Sequence, residues 1–212
     1  MTVHVSLPEA LVLFALHDER GTIHPAAGLA LDHGLRGAVI SELRLRGCIE
    51  TRTAGEVRRS LRSAPAPGNP VLREALATLD GAPSPAPVND WLGWLARARP
   101  GLRADLLELL AERGILGATD RDHPGIERRV HPSTDQSVES GLRTQAHAAL
   151  DAGAAVVPRL GLLVAFTVAC HLEQVVFERR AQQAEDLAGW VADRDSVVRA
   201  VVQAIAEAEG RW

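Results

Sequence analysis

The chain has 212 residues, of which 46% are hydrophobic and 3% aromatic, and its formal net charge is -4. This length suffices for one sizeable core, and the composition excludes an intrinsically disordered chain and a strongly basic chain that coats nucleic acid. We therefore expect a single domain that spans residues 1–212. All basic residues are arginine, and Ala, Leu, Arg and Glu are abundant, which favours helix and is typical of proteins from high-GC bacteria.

The N-terminal segment carries the first helix signal. Ser6 and Glu9 have the spacing of a capping box, and apolar residues follow at helical intervals. This pattern predicts a first helix that ends near Arg20 and Gly21. The opening MTVHVSLPEA has neither a basic stretch nor a long apolar run, so we expect no signal peptide.

A second helix and a hairpin are predicted next. Apolar spacing predicts a helix from about Leu29 to Arg46, and Gly47 is its expected stop. Residues 48–59 alternate in polarity around the turn-like pair Ala54-Gly55. Alternation on both sides of such a pair predicts a short β-hairpin.

Proline and asparagine mark the middle of the chain. Asn69 before Pro70 predicts a capped helix that closes at Gly81. The segment 81–87, GAPSPAP, is predicted to be a surface linker, because proline fits neither the interior of a helix nor that of a sheet.

The second half of the chain is predicted to be helical apart from one polar segment. Trp91 and Trp94 are expected on one helix, with both side chains in the core rather than at a ligand. Residues 118–132, ATDRDHPGIERRVHP, are expected to form a loop or a second hairpin. Ser133 with Gln136 predicts a helix cap. The other predicted helices are 101–113, closed by Gly114, and then 158–177, 178–190 and 191–206.

The longest apolar run, Leu160 to Cys170, is far shorter than the ~20 residues that a bilayer span needs. It is therefore predicted to be a buried central helix. Cys48 and Cys170 lie in no metal-ligand spacing and are expected to be buried thiols in a reducing compartment. The expected fold class is mainly α, with one compact helical domain around the central helix and one or two short β-hairpins.

An arginine stands on the apolar face of the second predicted helix, in the segment HGLRGAVISELRLRGCIE. On a helical wheel of about 100° per residue, Leu35 is placed at zero. Three apolar residues then fall between about 40° and 140°, namely Val39, Leu43 and Ile40. Arg36 falls among them, at about 100°. Because a guanidinium keeps its proton, an arginine withdrawn from water needs an acidic partner or an anionic ligand.

The segment 34–49 is repeated without a gap at 101–116, GLRADLLELLAERGIL. Arg103 occupies the position of Arg36 in this repeat and faces the same side of its helix. Both arginines are expected in the first turn of a helix, where free N–H groups and the helix dipole add positive potential. The repeat therefore predicts two helix starts that share one anion.

Structural explanations of the same arginines stay open at this point. An arginine at a helix start also serves as a rim residue whose stem covers the core, or as one half of a structural ion pair. The repeat itself is also explained by a common helix ending, in which a glycine stops the helix and a strand follows.

No catalytic motif accompanies these arginines. The sequence has no GxSxG, P-loop or dinucleotide-binding glycine pattern, and its eight histidines show no metal-ligand spacing. We expect a non-enzymatic protein with no cofactor and no metal site. Two further functions stay open. A helix that ends in RGCIE and is followed by a strand, a turn and another strand is also the pattern of a winged-helix-like nucleic-acid-binding regulator, and the segment 52–62 is locally basic. The other function is a scaffold that binds protein tails without lipid. The acidic net charge disfavours nucleic acid as a partner.

Four segments together resemble the Golgi phosphoprotein 3 family. They occur in the family's order and at similar spacing across nearly the whole chain: LPEALVLFALHDERG at 7–21, GLRGAVISELRLRGCIE at 34–50, ELLAERGIL at 108–116 and PRLGLLVAFTVACHLEQVVF at 158–177. The resemblance implies an all-helical cytosolic protein that binds phosphatidylinositol 4-phosphate at a membrane surface. In eukaryotes, members of this family also hold the tails of glycosyltransferases.

The resemblance also implies roles for particular residues. The family's phosphate-binding arginine falls on Arg36, and a second basic contact falls on Arg103. These two residues are therefore the implied anionic headgroup site. A further arginine of the family falls on Pro100, and Arg97 and Arg99 are the candidates to reach the same region.

Two features of the family's membrane contact differ in this chain. The tryptophan that dips into the membrane falls on Ala26 or Ala27, and the apolar hairpin tip corresponds to the polar segment 122–132. We therefore expect weak, salt-sensitive and transient binding to a phosphoinositide or another anionic lipid. The expected location is the cytoplasm and the inner membrane surface of a bacterium. Cytosolic tails of membrane proteins are further partners that the resemblance implies.

Overall fold

The structure is a computed structural model and describes residues 4–17, 21–52, 55–60, 64–117, 119–123, 126–130, 134 and 136–210. Ten α-helices lie in these residues, which confirms the mainly α class. They are α1 (Leu7–Ala15), α2 (Ala30–Leu45), α3 (Pro70–Asp80), α4 (Val88–Ala98), α5 (Leu102–Glu112), α6 (Gln136–Ala152), α7 (Pro158–Ala169), α8 (Glu173–Val176), α9 (Ala181–Ala192) and α10 (Ser196–Glu209).

Five strands form two small antiparallel sheets within the described ranges. They are β1 (Ile49–Thr51), β2 (Glu56–Arg59), β3 (Ala86–Pro87), β4 (Thr119–His123) and β5 (Ile126–Val130). The first sheet has the order β1-β2-β3, and β1 pairs with β2 in the register Ile49↔Arg59. β4 and β5 pair in the register Thr119↔Val130, so the polar segment forms a second hairpin rather than a loop.

The first helix starts as predicted but ends earlier. Ser6 and Glu9 form the capping box, in which the Ser6 N–H donates to a Glu9 carboxylate oxygen at 2.7 Å. α1 stops because Leu16 adopts an extended conformation and forms a β-bridge with Ile23. The later end expected near Arg20 is therefore wrong, and Arg20 itself lies outside the described residues.

The next predicted boundaries are confirmed. α2 ends before Gly47, whose left-handed backbone (φ 73°) is the conformation that a glycine helix stop requires. The hairpin of β1 and β2 turns through Gly55, while its other expected turn residue, Ala54, lies outside the described residues. Asn69 caps α3, since its side chain accepts a hydrogen bond from the Leu72 N–H at 3.1 Å.

The segment 81–87 is more than a surface linker. Ala86 and Pro87 form the edge strand β3, and Ala86 pairs with Val57 of β2. Proline is accepted in an edge strand because one side of that strand makes no ladder hydrogen bonds. Ala82 and Ala86 are buried, so part of this segment belongs to the core and the linker prediction is corrected.

The helix predicted over 158–177 is broken into two. α7 ends at Ala169, and α8 begins at Glu173. Between them His171 has a left-handed backbone (φ 58°), which ends the regular helix. The apolar pattern continues across the break, so periodicity alone does not indicate it.

The boundary between the last two helices also differs from the prediction. α9 continues to Ala192, and α10 begins at Ser196. Asp195 caps α10, since its side chain accepts hydrogen bonds from the N–H groups of Val197 and Val198. Ser133, the cap expected for α6, lies outside the described residues.

α7 is the buried central helix that the apolar run predicts. Residues 161–167 are all buried, and Cys170 after them is fully enclosed. Both cysteines are free and buried, as predicted. Across the described ranges no single helix is long and apolar enough to span a bilayer; one pair of helices, Gln136–Ala155 with Pro158–Ala169, passes this test jointly but bends by 110°.

The two tryptophans of α4 belong to the core, as predicted. Trp91 is fully buried, and its indole N–H donates to the Pro83 carbonyl oxygen at 2.9 Å. Trp94 is partly buried, packs against the core and donates to the Thr78 carbonyl oxygen at 3.1 Å. A satisfied indole N–H is what a buried tryptophan requires, so both contacts are those of structural side chains.

Candidate functional site

α2 carries the first candidate arginine and packs on α7 and α10 through two glycines. A Cβ atom added at Gly34 would collide with the Cys170 sulfur, and one added at Gly37 would collide with a methyl group of Val201. Larger residues do not fit a close-packed interior of this kind without displacement. Close packing therefore requires glycine at positions 34 and 37. The same packing holds this part of α2 in place and thereby positions the Arg36 side chain.

The Arg36 side chain is half-buried and makes no ion pair with the described residues. Its Nε atom is buried and has no hydrogen-bond partner in this part of the chain. Burial lowers the pKa of Arg36; the Asp32 carboxylate opposes this shift, and the Arg103 charge adds to it. Because a guanidinium remains charged at physiological pH, the lowered pKa means that the cation is poorly stabilised. A bound anion would supply the missing stabilisation.

Arg36 does not lie at a helix start. α2 begins at Ala30, so Arg36 is in its second turn and the free N–H groups of the first turn are not beside it. α5 begins at Leu102, so Arg103 does lie in a first turn. The prediction of two arginines at two helix starts is thus wrong for Arg36. A helix that begins near Leu29, as the apolar spacing predicts and as α2 nearly does, places Arg36 beyond its first turn.

Arg103 lies next to Arg36, but an acid already pairs with it. Its Nε donates to Asp32 Oδ1 at 2.9 Å, and its Nη2 lies 2.6 Å from Asp32 Oδ2. This is a bidentate ion pair between α5 and α2. Asp32 precedes Arg36 by one turn of α2. We call the group Asp32, His33, Arg36 and Arg103 the α2–α5 site.

His33 is the fourth member of the α2–α5 site. Burial lowers the pKa of His33, the Arg36 charge adds to this shift, and the Asp32 charge opposes it. The imidazole is therefore neutral near pH 7. With two arginines, one aspartate and a neutral histidine, the α2–α5 site carries one net positive charge.

The two further arginines expected at the site make their contacts elsewhere. Burial by itself lowers the pKa of Arg99, but hydrogen bonds to Asp105 and Glu74 outweigh burial and raise the pKa overall. Arg97 is exposed and lies 5.8 Å from the centroid of the Trp94 ring. Within the described residues neither arginine forms a hydrogen bond or an ion pair with the α2–α5 site. The structure thus unites Arg36 with Arg103 and gives Arg97 and Arg99 other partners.

Cys170 lies beside the α2–α5 site on its buried side. Its thiol donates to the Ala30 carbonyl oxygen, with Sγ and oxygen 3.5 Å apart. Burial raises the pKa of this thiol to about 12, so it is protonated and does not act as a nucleophile. In the described part of the chain the site therefore offers cations and an acid but no activated nucleophile. This arrangement suits the binding of an anion.

Two acids lie on the core face of α2; the sequence indicates Glu42 only as a partner of neighbouring arginines on the helix surface, and it does not single out Asp32. On the wheel that singles out Arg36, Asp32 falls at about 60° and Glu42 at about 340°, close to the apolar residues. The wheel therefore carries the signal for both. Glu42 is 2% exposed and accepts hydrogen bonds from the Leu7 N–H at 2.8 Å, from Arg46 and from Arg159.

The C-terminal half of the repeat has a structural role. The glycines that follow α2 and α5 both have left-handed backbones, with φ of 73° and 71°. Arg46 and Arg113 each pair with an almost fully buried carboxylate, Glu42 and Glu9 respectively. The structural explanation of the repeat thus holds for this pair of arginines, whereas Arg36 has no such acid among the described residues.

The basic segment 52–62, considered above for nucleic acid, is partly neutralised. Arg58 pairs with Glu50, and Arg59 pairs with Asp80, at 2.8 Å in each case. Residues 53–54 and 61–62 lie outside the described residues. Paired arginines give a weak basic surface, so the contacts of this hairpin do not favour the winged-helix-like alternative.

The family of the chain is shown by a match over nearly its whole length. A profile of the family described as Golgi phosphoprotein 3 (GPP34) matches residues 7–208. No curated protein sequence gives a significant match. The matched range contains α1, α2, α5 and α7, which carry the four segments of the resemblance, and it contains the whole α2–α5 site. The chain therefore belongs to the Golgi phosphoprotein 3 (GPP34) family.

Proposed function

We propose that the protein binds the phosphate of an anionic lipid headgroup at the α2–α5 site and does not convert it chemically. Phosphatidylinositol 4-phosphate is the first lipid to test. Membership of a generally non-enzymatic, lipid-binding adaptor family supports this proposal. The protein then acts in the cytoplasm and transiently at the inner membrane surface.

One observation carries the proposal, namely that Arg36 is a half-buried cation whose Nε has no partner among the described residues. An unpaired cation withdrawn from water is unfavourable, and a phosphate oxygen is a strong acceptor for a guanidinium. Arg103 supplies a second guanidinium from the first turn of α5, where the helix dipole also favours negative charge. Two guanidiniums suit the double charge of a phosphate monoester.

An exposed leucine favours a membrane as the source of the phosphate. Leu29 is 57% exposed at the start of α2, seven residues before Arg36 and so on the same side of the helix. Residues 25, 26 and 28 beside it are also exposed, and none is charged. We propose that Leu29 enters the bilayer interface while Arg36 meets a headgroup. It would act in place of the tryptophan that the family has near Ala26 and Ala27.

The proposed attachment is reversible and salt-sensitive. A basic residue at an anionic membrane surface contributes about 1 kcal/mol, and full burial of one leucine side chain contributes about 1.5–3 kcal/mol. Two arginines and one leucine therefore give binding that added salt weakens. Arg97 and Arg99 add at most long-range attraction, because Arg99 is paired with two carboxylates.

Vesicle flotation tests the proposal. The wild-type protein is compared with Arg36→Met, which keeps an apolar stem and removes the charge, on vesicles that contain phosphatidylinositol, its 4-phosphate or phosphatidylserine. Arg179→Met is the matched control, because Arg179 is exposed and makes no polar contact within the described residues. Wild type and Arg179→Met are expected to float best with the 4-phosphate, and Arg36→Met is expected to lose most of this binding.

Three results would count against the proposal. Equal flotation of Arg36→Met and wild type would remove Arg36 from the site. Tight binding of inorganic phosphate without any affinity for vesicles would make free phosphate the ligand. Stronger binding to duplex DNA than to every vesicle would favour the winged-helix-like alternative.

A groove between α7, α9 and α10 favours a second candidate function, the docking of a protein tail with both basic and apolar residues. The groove has a volume of about 450 Å³, a largely apolar floor, and Glu173, Glu185 and Glu209 among its lining residues. Val202 in its wall is 45% exposed. Glu173 Oε2 is buried without a partner in the described residues, so a cation has a place to bind. Acidic groups around an apolar floor match the cytosolic tail of a membrane protein.

Fluorescence anisotropy with a labelled peptide tests this second function. The peptide carries leucine and arginine residues, and a control peptide has glutamate in place of arginine. Glu173→Gln and Val202→Ser are expected to weaken binding of the basic peptide, whereas Val157→Ser, outside the groove, leaves it unchanged. Equal binding of the two peptides would exclude recognition by charge.

A further inference from the structure

The Asp32 carboxylate is bound to the Arg103 guanidinium, which an incoming anion would also bind. Both of its oxygens are bound by Arg103, Oδ1 at 2.9 Å from Nε and Oδ2 at 2.6 Å from Nη2. The side chains of Asp32 and Arg103 are 33% and 30% exposed. The ion pair is thus open to solvent, and an anion reaches it without unfolding of the chain.

Asp32 does not satisfy both arginines of the site. It precedes Arg36 by four residues on α2, a spacing at which an acid and a base on one helix can pair. Its two oxygens nevertheless bind Arg103, and the Arg36 Nε has no partner among the described residues. A carboxylate held by a guanidinium through two parallel contacts resembles a phosphate held through two of its oxygens. The Asp32 carboxylate therefore occupies the side of Arg103 that a bridging phosphate would use.

We infer that Asp32 is an internal competitor for the α2–α5 site, and that a phosphate bridging Arg36 and Arg103 displaces the Asp32 carboxylate from Arg103. This inference rests on the function proposed above. In the exchange Arg103 replaces one oxyanion by another, so Arg36 is the residue that gains a new partner. Asp32 thereby sets the affinity of the site and keeps it low.

The position of Asp32 makes its release feasible. It lies in the first turn of α2, where the helix dipole stabilises a negative charge. Its side chain is also partly exposed, so water solvates the carboxylate once Arg103 has left it. The carboxylate is therefore not left buried and unpaired when phosphate binds.

Two other roles for Asp32 predict different results. If Asp32 is a positioning residue that orients Arg103 toward the ligand, its neutralisation weakens phosphate binding. If it is only a structural link between α2 and α5, its neutralisation lowers thermal stability and leaves the affinity of the folded protein unchanged. Affinity and unfolding midpoint together separate these roles from competition.

The test compares Asp32→Asn with wild type, by calorimetry with inorganic phosphate and by flotation with vesicles that contain phosphatidylinositol 4-phosphate. Asp32→Asn keeps the shape of the side chain and removes its charge. The affinity for phosphate or vesicles is expected to increase about tenfold, because the ligand no longer has to replace one charge-assisted hydrogen bond between Asp32 and Arg103. Asp151→Asn is the matched control, because it removes the same charge and also takes an aspartate from a surface arginine, Arg180. It is expected to leave the affinity unchanged.

A double substitution separates competition from a general effect of charge. When Arg103→Met is already present, Asp32 no longer holds Arg103 and acts only on the charge of Arg36, so adding Asp32→Asn is expected to give a much smaller gain. A gain of undiminished size with Arg103→Met, or an affinity of Asp32→Asn that is equal to or weaker than that of wild type, overturns the inference. If only phosphate calorimetry shows the Arg103-dependent gain, free phosphate is the ligand. If vesicle flotation shows it, the ligand is the lipid headgroup. Either of these results for Asp32→Asn leaves the proposed function intact as long as Arg36→Met weakens binding. If Arg36→Met binds as well as wild type, the proposed site itself is excluded.

Discussion

Gly37 of α2 lies against Phe166 of α7 with no room for a methyl group, since a Cβ atom at Gly37 would stand 2.9 Å from Phe166 Cε1. The same atom would collide with Val201 of α10. Gly37→Ala is therefore expected to lower the free energy of unfolding by about 1–3 kcal/mol, because overpacking outweighs the better helix propensity of alanine. Chemical denaturation measures this change.

Gly141→Ala is the matched control for this prediction. Gly141 lies inside α6, and a Cβ atom added there meets no described heavy atom within 4 Å. Alanine at this position is expected to raise the free energy of unfolding by up to about 1 kcal/mol. If both substitutions stabilise the protein, the close packing of α2 on α7 is contradicted.

Loss of the Glu42 charge is expected to destabilise the fold. Glu42→Gln takes a shared carboxylate from Arg46 and Arg159, and that carboxylate is only 2% exposed. Because the two arginines are 31% and 33% exposed, water compensates them in part. The expected loss in the free energy of unfolding is about 2–3 kcal/mol. Glu50→Gln breaks a more exposed pair with Arg58 and is expected to lose less than about 1 kcal/mol; similar losses for both variants would contradict the prediction.

Acid is expected to remove the contribution of Glu42. Burial by itself raises the pKa of Glu42, but Arg159, the Leu7 N–H and Arg46 outweigh burial, so the pKa in the folded protein lies below the ordinary value of 4.5. The stabilisation is thus complete above about pH 4.5 and is lost as the pH falls through the folded-state pKa, because the unfolded chain binds the proton first. Between about pH 5 and pH 3 the free energy of unfolding should fall more steeply for wild type than for Glu42→Gln. Parallel curves would show that Glu42 is not the group responsible.

Leu29→Ser is expected to weaken membrane binding without changing the affinity for soluble phosphate. The substitution removes a contribution of about 1–2 kcal/mol from the bilayer interface and leaves Arg36 and Arg103 in place. Val157→Ser is the control, because Val157 is also 57% exposed but precedes α7. Vesicle flotation and phosphate calorimetry are measured for both variants. Equal effects of the two substitutions on flotation would exclude Leu29 as a specific membrane contact.

Features of the fold that depend on neighbouring residues could be predicted from the sequence. Asn69 caps α3 through an N–H only three residues away, and Gly47 ends α2 through its own backbone conformation. The capping box of Ser6 and Glu9 is equally local. In each case the residue type restricts the backbone at that position, so the pattern alone is sufficient.

Features that depend on distant residues could not be predicted in this way. Asp32 and Arg103 are 71 residues apart, and only the packing of α5 on α2 brings them together. The sequence therefore leaves open whether each arginine binds an anion or belongs to an ion pair, whereas the structure pairs Arg103 with Asp32. The left-handed backbone of His171 interrupts an apolar pattern that itself gives no stop signal.

Two buried acids connect distant parts of the chain. Glu9 is bound by Arg113, 104 residues further on, and Glu42 is bound by Arg159, 117 residues further on. Both ion pairs span the segment 81–85, so a protease that cuts there would leave each acid and its distant arginine on different fragments. Separation of the fragments would break both pairs and uncover the core that surrounds them. Cleavage at this segment is therefore expected to leave a noncovalent complex of two fragments, which migrates as one species until a denaturant is added.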